Sequence, residues 1–322
     1  MAVRLLVPSV ALLGLLILAP TTSANHVQCG DVITESVKLD SDVACPADFE
    51  GSALVIGADN ITVDLRGFSV LASTYDRQQT AIATDRPHRN VTLRRGTLAG
   101  GSVDALPVVA QLSDSVIRDL DAEGVSGMSV VGDRNVIRDN HVFASFGGIQ
   151  IRGDFNRVLE NEVFAVEGTG ISASGRGLEL ARNTVTLDRG YGFHDAITVG
   201  NFQDIQIHRN IVSAFSSDGI VIGSGTGALI DRNIAVHNAN GILVNEQAGE
   251  VVVSRNQAND NHSSYLENGT GIRVDSTSTV IERNSANNNF DYGIWAVPGV
   301  VDGGGNTASG NGLADCVNVT CR

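Results

Sequence analysis

Residues 205–222 read IQIHRNIVSAFSSDGIVI, and residues 228–244 read ALIDRNIAVHNANGILV. In both stretches an apolar segment ends at Arg-Asn, a second apolar segment follows, and a glycine precedes a third. The asparagine recurs at intervals of 21 to 28 residues, at Asn140, Asn161, Asn183, Asn210, Asn233, Asn256, Asn284 and Asn306. A small residue followed by an apolar one recurs in an interlocked register, at Gly127-Met128, Gly148-Ile149, Gly170-Ile171, Ala196-Ile197, Gly219-Ile220, Gly241-Ile242, Gly271-Ile272 and Gly293-Ile294. Two interlocked registers of one period indicate stacked structural repeats.

Each repeat is too short for a helix plus two strands, and it cannot bury its apolar segments alone. Stacking one repeat on the next pairs every strand in parallel at a spacing of about 4.8 Å. The sequence therefore predicts an all-β protein, a parallel β-helix solenoid of about ten coils over residues 51–312. A leucine-rich horseshoe lacks its leucine spacing here, and a propeller needs blades of about 40 residues.

The composition limits the function. The 322 residues are 42% apolar, 5% aromatic and 18% charged, which suits short strands and turns better than amphipathic helices. The formal net charge is −14, so general attraction to nucleic acid or to an anionic membrane is disfavoured. Lys38 is the single lysine, which leaves almost no candidate for chemistry based on a lysine base or Schiff base.

Both ends of the chain have features of exported proteins. Residues 1–24 are predicted to be a signal peptide, because Arg4 precedes about 15 apolar residues and small residues end at Ala24. The apolar stretch is too short to span a bilayer, so we expect a secreted or periplasmic monomer with no membrane span in its mature form. The cysteines are Cys29, Cys45, Cys316 and Cys321. Three pairings are open; the two local ones need no long-range closure, and we expect structural disulfides.

Residues 51–312 resemble the right-handed parallel β-helix, or pectin-lyase-like, superfamily. The stacked repeats carry the resemblance, together with the opening Cys29-Gly30-Asp31 to Cys45-Pro46 and the segment Asn60-Ile61-Thr62-Val63-Asp64-Leu65. The resemblance implies a right-handed solenoid with a cap and cysteine pair over 25–50 and a tail with a cysteine pair over 313–322. It does not imply one activity, because functions are grafted onto this scaffold at particular coils.

Stacking turns each repeated residue into a column. The repeated asparagines are predicted to form a structural amide ladder. A second column holds Arg182, Arg209, Arg232, Arg255 and Arg283, each directly before an asparagine. Like charges one coil apart repel, so either neighbouring carboxylates or a bound polyanion must offset them. Alternation along a strand does not give side-chain direction at a turn, so both interpretations stay open.

Two coils are longer than their neighbours, and the added residues of a solenoid leave as loops that often lie on its binding face. The first loop contains Arg189, Tyr191, His194 and Asp195, and the second contains Tyr265. Trp295 lies one coil further on. Aromatic rings and charged groups around a groove suit a polysaccharide, so we predict that Arg189, Asp218, Tyr265 and Trp295 bind substrate.

Asp195, Asp218 and Asn240 directly precede the small residue of three successive coils. Carboxylates about one coil apart raise each other's pKa and can share a proton or a cation. Asp195 and Asp218 are therefore candidate metal ligands, with calcium as the candidate ion. A column of Asp and Asn that stabilises the turns is the alternative.

Tyr191-Gly192-Phe193-His194-Asp195 resembles the Tyr-Gly-Phe-Asp-Pro-His-Glu/Asp motif of β-helical mannuronan C5-epimerases, without its Asp-Pro step. The resemblance implies that Tyr191 and His194 form an acid/base pair and that Asp195 orients His194 or binds a cation. Arg189 or Arg209 would neutralise the uronate carboxylate, because the adjacent C5 proton becomes removable only then. Return of the proton gives an epimerase, and loss of the O4 substituent gives a lyase.

Two other classes stay open. A β-helical glycoside hydrolase would use Asp195 and Asp218 at a separation near that of retaining enzymes. A non-catalytic binding or surface rod would use the same groove without chemistry. The sequence thus predicts a carbohydrate-engaging β-helix, with an acidic polysaccharide as the candidate partner.

Overall fold

A computed structural model describes residues 26–72, 79–100, 108–124, 127–187, 194–213, 217–263 and 268–322. These residues form 35 strands and no helix, and every pairing between strands is parallel. None of the described residues forms a helix long and apolar enough to cross a bilayer. The predicted signal peptide lies outside the described residues.

Each coil contributes one strand to each of three sheets, which we call the first, second and third sheet in chain order. The first sheet contains Asp31–Ile33, Leu54–Ile56, Ile82–Thr84, Val108–Ser113, Met128–Val131, Ile149–Arg152, Ile171–Arg176, Ile197–His208, Ile220–Ile222, Asn240–Val244, Thr270–Val274, Tyr292–Ala296 and Ala314–Val317. The second contains Val37–Lys38, Thr62–Asp64, Thr92–Ala99, Val116–Gly124, Val136–Arg138, Arg157–Leu159, Glu179–Ala181, Gly225–Asp231, Ala248–Ser254, Thr279–Glu282 and Val301–Gly304. The third contains Val43–Ala44, Ser69–Leu71, His141–Phe146, Glu162–Glu167, Thr184–Leu187, Ile211–Ser213, Ile234–Val236, Gln257–Asn259, Ser285–Asn287 and Thr307–Ser309.

Some strands bend around a corner of the coil. Ile197–His208 belongs to the first and second sheets, whereas Thr92–Ala99 and Val116–Gly124 belong to the second and third. His88–Arg89 pairs with the end of Val108–Ser113. The strand stack runs from Asp31 to Val317 and makes about 11 coils, in agreement with the predicted parallel solenoid of about ten coils.

The interior is a stack of aliphatic side chains, one layer per coil. Its clearest column is the apolar member of the small-apolar register, with Ile197, Ile220, Ile242, Ile272 and Ile294 in register and fully buried. At Gly241 packing requires a glycine, because a Cβ there would lie 2.6 Å from the carbonyl oxygen of Gly271. The register recognised in the sequence is therefore the inner corner of the coil.

The predicted asparagine ladder is confirmed. Each side chain donates through Nδ2 to Oδ1 of the asparagine in the next coil, at 2.9–3.1 Å from Asn140 to Asn306. The same Oδ1 also accepts the backbone N–H of the preceding ladder residue. A second ladder at another corner, which the sequence analysis missed, joins Asn238, Asn261, Asn289 and Asn311 at 2.9 Å.

The arginine column lies at the corner between the second and third sheets. Its five residues have backbone φ between 55° and 58°, in the left-handed region, so they form the turn between two strands. The alternation of inward and outward side chains along a strand therefore does not apply to them. Arg182 pairs with Glu160, Arg232 and Arg255 pair with Asp231, and Arg283 lies 3.8 Å from Glu282. For these four the intramolecular interpretation is confirmed; Arg209 forms no ion pair with any described residue.

Both ends of the stack are cross-linked. Cys29 is bonded to Cys45 beside the first coil. Cys316, in the last strand Ala314–Val317, is bonded to Cys321. These are the two local pairings among the three that the sequence allowed. Each disulfide closes a short loop and so stabilises only a terminal coil. The middle of the stack is stabilised by the asparagine ladders and the aliphatic core.

Candidate functional site

The outer face of the first sheet carries one in-register residue per coil, directly after the buried apolar column. We call this row the first-sheet track, and its members are Ser129, Gln150, Ser172, Thr198, Val221, Leu243, Arg273 and Trp295. Seven coil spacings give the track a length of about 34 Å. The track is polar at its N-terminal end, apolar in the middle and aromatic at the far end, so it offers different contacts along one extended line.

A groove of about 430 Å³ opens beside the polar end of the track. Its wall combines glycine backbone with the side chains of Ser129, Gln150 and Ser172, and His194 stands at its edge. The His194 side chain is exposed. An exposed imidazole beside a polar groove can exchange a proton with a bound molecule.

Asp195 and Asp218 lie next to each other at the corner that leads into the first sheet. Asp195 accepts hydrogen bonds from Ser217 Oγ at 2.8 Å, from Thr198 Oγ1 at 3.0 Å and from the backbone N–H of Asp218 at 3.3 Å. Asp218 Oδ1 in turn accepts from the backbone N–H and Nδ2 of Asn240, at 2.9 and 2.7 Å. These hydrogen bonds are those of an Asp/Asn column that stabilises the turns, the alternative to a cation site.

The two carboxyl groups differ in their surroundings. Burial raises the pKa of Asp218 to about 6; the hydrogen bonds from Asn240 oppose this rise, and the charge of Asp195 adds to it. The positive charge of the Arg273 guanidinium lowers the pKa of Asp218. Asp218 is therefore a carboxyl group that can hold a proton in mildly acidic solution and release it near neutrality.

Arg273 lies at the far end of the track, where its guanidinium carbon is 5.4 Å from the centroid of the Trp295 ring. It also donates to Asp275 at 3.1 Å. Arg273, Ser129, Gln150 and Ser172 are absent from the residues predicted as a site. Each directly follows the apolar member of the repeated register, so reading one residue further along each repeat would have found them.

The structure brings some of the predicted site residues together and separates others. His194, Asp195 and Asp218 share one corner, and Trp295 lies on the sheet that begins there. Arg209 lies at the corner between the second and third sheets, two strand segments away, so its position does not support a role beside His194. Arg189, Tyr191 and Tyr265 lie outside the described residues.

The predicted relation between His194 and Asp195 is also absent from the described contacts. The Asp195 oxygens accept from Thr198, Ser217 and Asp218, and no hydrogen bond joins Asp195 to His194. Within the described ranges no group of three or more His, Cys, Asp or Glu side chains lies together. Calcium takes six to eight oxygen ligands, so Asp195 and Asp218 alone do not fit a calcium site.

The stacked coils have the fold of a right-handed parallel β-helix. The family model described as "Right handed beta helix region" matches residues 195–319. The A-module of the mannuronan C-5 epimerase AlgE4 from Azotobacter vinelandii is similar in structure, with a TM-score of 0.56 and 13% identity over 92% of this chain and 86% of that one. The A-module of AlgE6 from the same organism gives a TM-score of 0.56 and 14% identity over 92% and 88%. No curated protein sequence matches the chain.

Proposed function

We propose that this protein is an exported β-helix enzyme that binds a uronate-containing polysaccharide along the first-sheet track and removes the C5 proton of the sugar. The observation that carries the proposal is the placement of the exposed His194 and the protonatable Asp218 at one corner of the first-sheet track. The two similar epimerase modules support it by sharing the fold. Two disulfides support export to the periplasm or the medium, because such bonds persist in oxidising compartments.

The chemistry needs three functions around one sugar. A base, His194, removes the C5 proton, and a cationic group offsets the uronate carboxylate so that the resulting carbanion is stabilised. Arg189, the cation that the motif resemblance implies, is the candidate for this function. Arg273 lies on the track three coils from Thr198, about 14 Å away, so it would bind the carboxylate of another sugar of the polymer. An acid, Asp218, then gives a proton to the opposite face of C5 in an epimerase, or to O4 as the C4–O4 bond breaks and the C4=C5 bond forms in a lyase; His194 releases its proton to solvent. Protonated Asp218 must lose and regain one proton per cycle, which its raised pKa allows.

A non-catalytic carbohydrate-binding rod is the second candidate, and one observation favours it. The oxygens of Asp195 are occupied by three hydrogen bonds from its own coil and the next, as expected of a structural turn residue. The same observation argues against a hydrolase that uses Asp195 as nucleophile. In the rod, the track would bind the polymer and no bond would change.

Proton NMR in D2O of the protein with polymannuronate, polyguluronate or polygalacturonate tests the proposal. We expect deuterium at C5, or unsaturated ends, to accumulate with one of these polymers. Replacing His194 by alanine is expected to lower the rate by about 100-fold or more, as for loss of a general base. The His141→Ala variant, which removes an exposed histidine of the third sheet, is the matched control and should keep the full rate.

Each other outcome has a definite meaning. Unchanged spectra with every polymer, in the presence and absence of calcium, would contradict uronate turnover. Retention of a polymer without turnover would establish the binding rod. New reducing ends without unsaturation would establish a hydrolase, and equal rates for the two histidine variants would show that the reaction occurs elsewhere on the molecule.

A further inference from the structure

The outer face of the second sheet carries a row of arginines in its N-terminal half. Arg94, Arg118 and Arg138 are in register on three successive coils, about 4.8 Å apart, and Arg157 lies in the neighbouring outward column. These four line a groove of about 470 Å³ together with Thr62, Thr92, Val116, Val136 and Leu159. The lining contains no carboxylate, although the chain as a whole carries a net charge of −14.

Each arginine is held by a carboxylate that lies outside the lining of this groove. Arg94 pairs with the buried Asp64, Arg118 with Asp119, Arg138 with Asp139 and Arg157 with Glu179. Asp119 and Asp139 have backbone φ of 55°, so they occupy the left-handed corner next to the strand. These pairs offset the repulsion between stacked guanidinium groups and keep them in place.

The guanidinium groups keep donors for a ligand. Arg118 and Arg138 each bond to protein through Nη1 alone among the described residues, and a guanidinium has five N–H donors. Their side chains are 25% and 40% exposed, so the remaining donors reach the groove. A planar guanidinium binds a carboxylate through two parallel hydrogen bonds.

We propose that this arginine groove is a second polymer-binding site, which takes a linear acidic polysaccharide with carboxylates on successive sugars. The stepwise row of guanidinium groups complements a chain with regularly spaced negative charges. Threonine hydroxyls beside the row suit sugar hydroxyls. No aromatic residue lines the groove, so it lacks the stacking surface on which single-stranded nucleic acids bind. The site lies on a different sheet from His194 and holds whether or not that histidine is catalytic.

Binding of polygalacturonate, measured by affinity electrophoresis and calorimetry at low and high NaCl, tests the proposal. The variant Arg118→Gln with Arg138→Gln is expected to bind about tenfold more weakly or worse, and to lose much of the dependence of its affinity on salt. Arg134→Gln with Arg176→Gln is the matched control, because it removes the same charge from exposed ion-paired arginines outside the groove lining. Unchanged melting temperatures would show that both variants are folded.

The same comparison in a Trp295→Ala background separates this site from the first-sheet track. The arginine-dependent binding should persist there, even if the track contributes binding of its own. Equal affinities for the groove and control variants would overturn the proposal. So would binding of single-stranded DNA as tight as that of polygalacturonate and equally sensitive to the groove variant, because it would make the groove a general polyanion site. Neutral dextran should not bind at the groove.

Discussion

Replacing Asn233 by alanine is expected to lower the free energy of unfolding by about 3–5 kcal/mol. Asn233 is fully buried in the middle of the first ladder. Its Oδ1 accepts from the backbone N–H and Nδ2 of Asn210, both at 3.0 Å. Its Nδ2 donates to the Ile207 carbonyl at 2.9 Å and to Asn256 Oδ1 at 3.0 Å. Alanine takes the acceptor from the buried backbone N–H of Asn210 and removes one partner each from Asn210 Nδ2, the Ile207 carbonyl and Asn256 Oδ1.

Urea unfolding followed by circular dichroism measures this effect. The matched control is Asn287→Ala, which removes an asparagine from the outer face of the third sheet. There the side chain is half-buried and water can replace its hydrogen bonds, so we expect a loss below about 1 kcal/mol. If the two variants lost the same amount, the ladder would be a consequence of stacking and would contribute no special stability.

Replacing Asp218 by asparagine is expected to stabilise the protein at pH 7 by about 1–2 kcal/mol. The pKa of Asp218 in the folded chain is about 6, above the usual value of 3.8, so folding favours the protonated carboxyl group. Its contribution to stability is therefore fully present below pH 4 and is lost as the pH rises through 6. Asparagine cannot ionise, and its Oδ1 can still accept the two hydrogen bonds from Asn240.

Thermal melting between pH 4 and pH 7.5 tests the sign as well as the size. The stability difference between the variant and the native chain should be small at pH 4 and should grow to its full value above pH 6. Asp204→Asn is the matched control, since it removes the same charge from an exposed turn residue with φ of 54° and should show no such growth. A stability difference that stays constant with pH, or a variant less stable than the native chain at pH 7, would show that ionisation of Asp218 does not destabilise the folded protein.

The stability of the Asp218→Asn variant and its turnover of polymer together test the proposed function. If Asp218 is the proton donor, the asparagine variant becomes more stable and loses turnover. This combination is typical of active-site groups that are held in an unfavourable state for function. A purely structural Asp218 gives greater stability with unchanged turnover, so the pair of readouts separates the two roles.

Much of the fold could be predicted from the sequence because residues that the coil requires recur at the same position in successive repeats. An asparagine that bonds to its own copy in the next coil recurs from Asn140 to Asn306, and a glycine whose Cβ would meet the carbonyl of the next coil recurs in most of the same coils. The residue types at outward-facing positions vary more from coil to coil. Ser172 and Arg273 occupy the same track position with different chemistry, so no repeated letter marks the track.

The site was harder to predict for two physical reasons. Arg209 follows a strand but takes a left-handed conformation, and the corner redirects its side chain away from the alternation that sequence reasoning uses. The added length of the coil around Tyr191 predicts a loop, and loop length does not specify where side chains converge. The arginines at 94, 118 and 138 lie in register on three strands, and aligning the irregular early coils with the later ones would have revealed their column.

The C-terminal end of the stack has a consequence for how the molecule meets its own copies. A parallel coil exposes a complete row of unpaired N–H and C=O groups at its last layer, and such an edge is the template on which fibres grow. Here Cys321 pairs with Asn306, the last rung of the ladder, and the N–H of Arg322 donates to the Asn306 carbonyl at 3.0 Å. The bond from Cys321 to Cys316 fixes this short segment across the terminal rung. Cys321 and Arg322 therefore cover part of the backbone edge at the Asn306 rung, and the cross-link to Cys316 holds that cover in place.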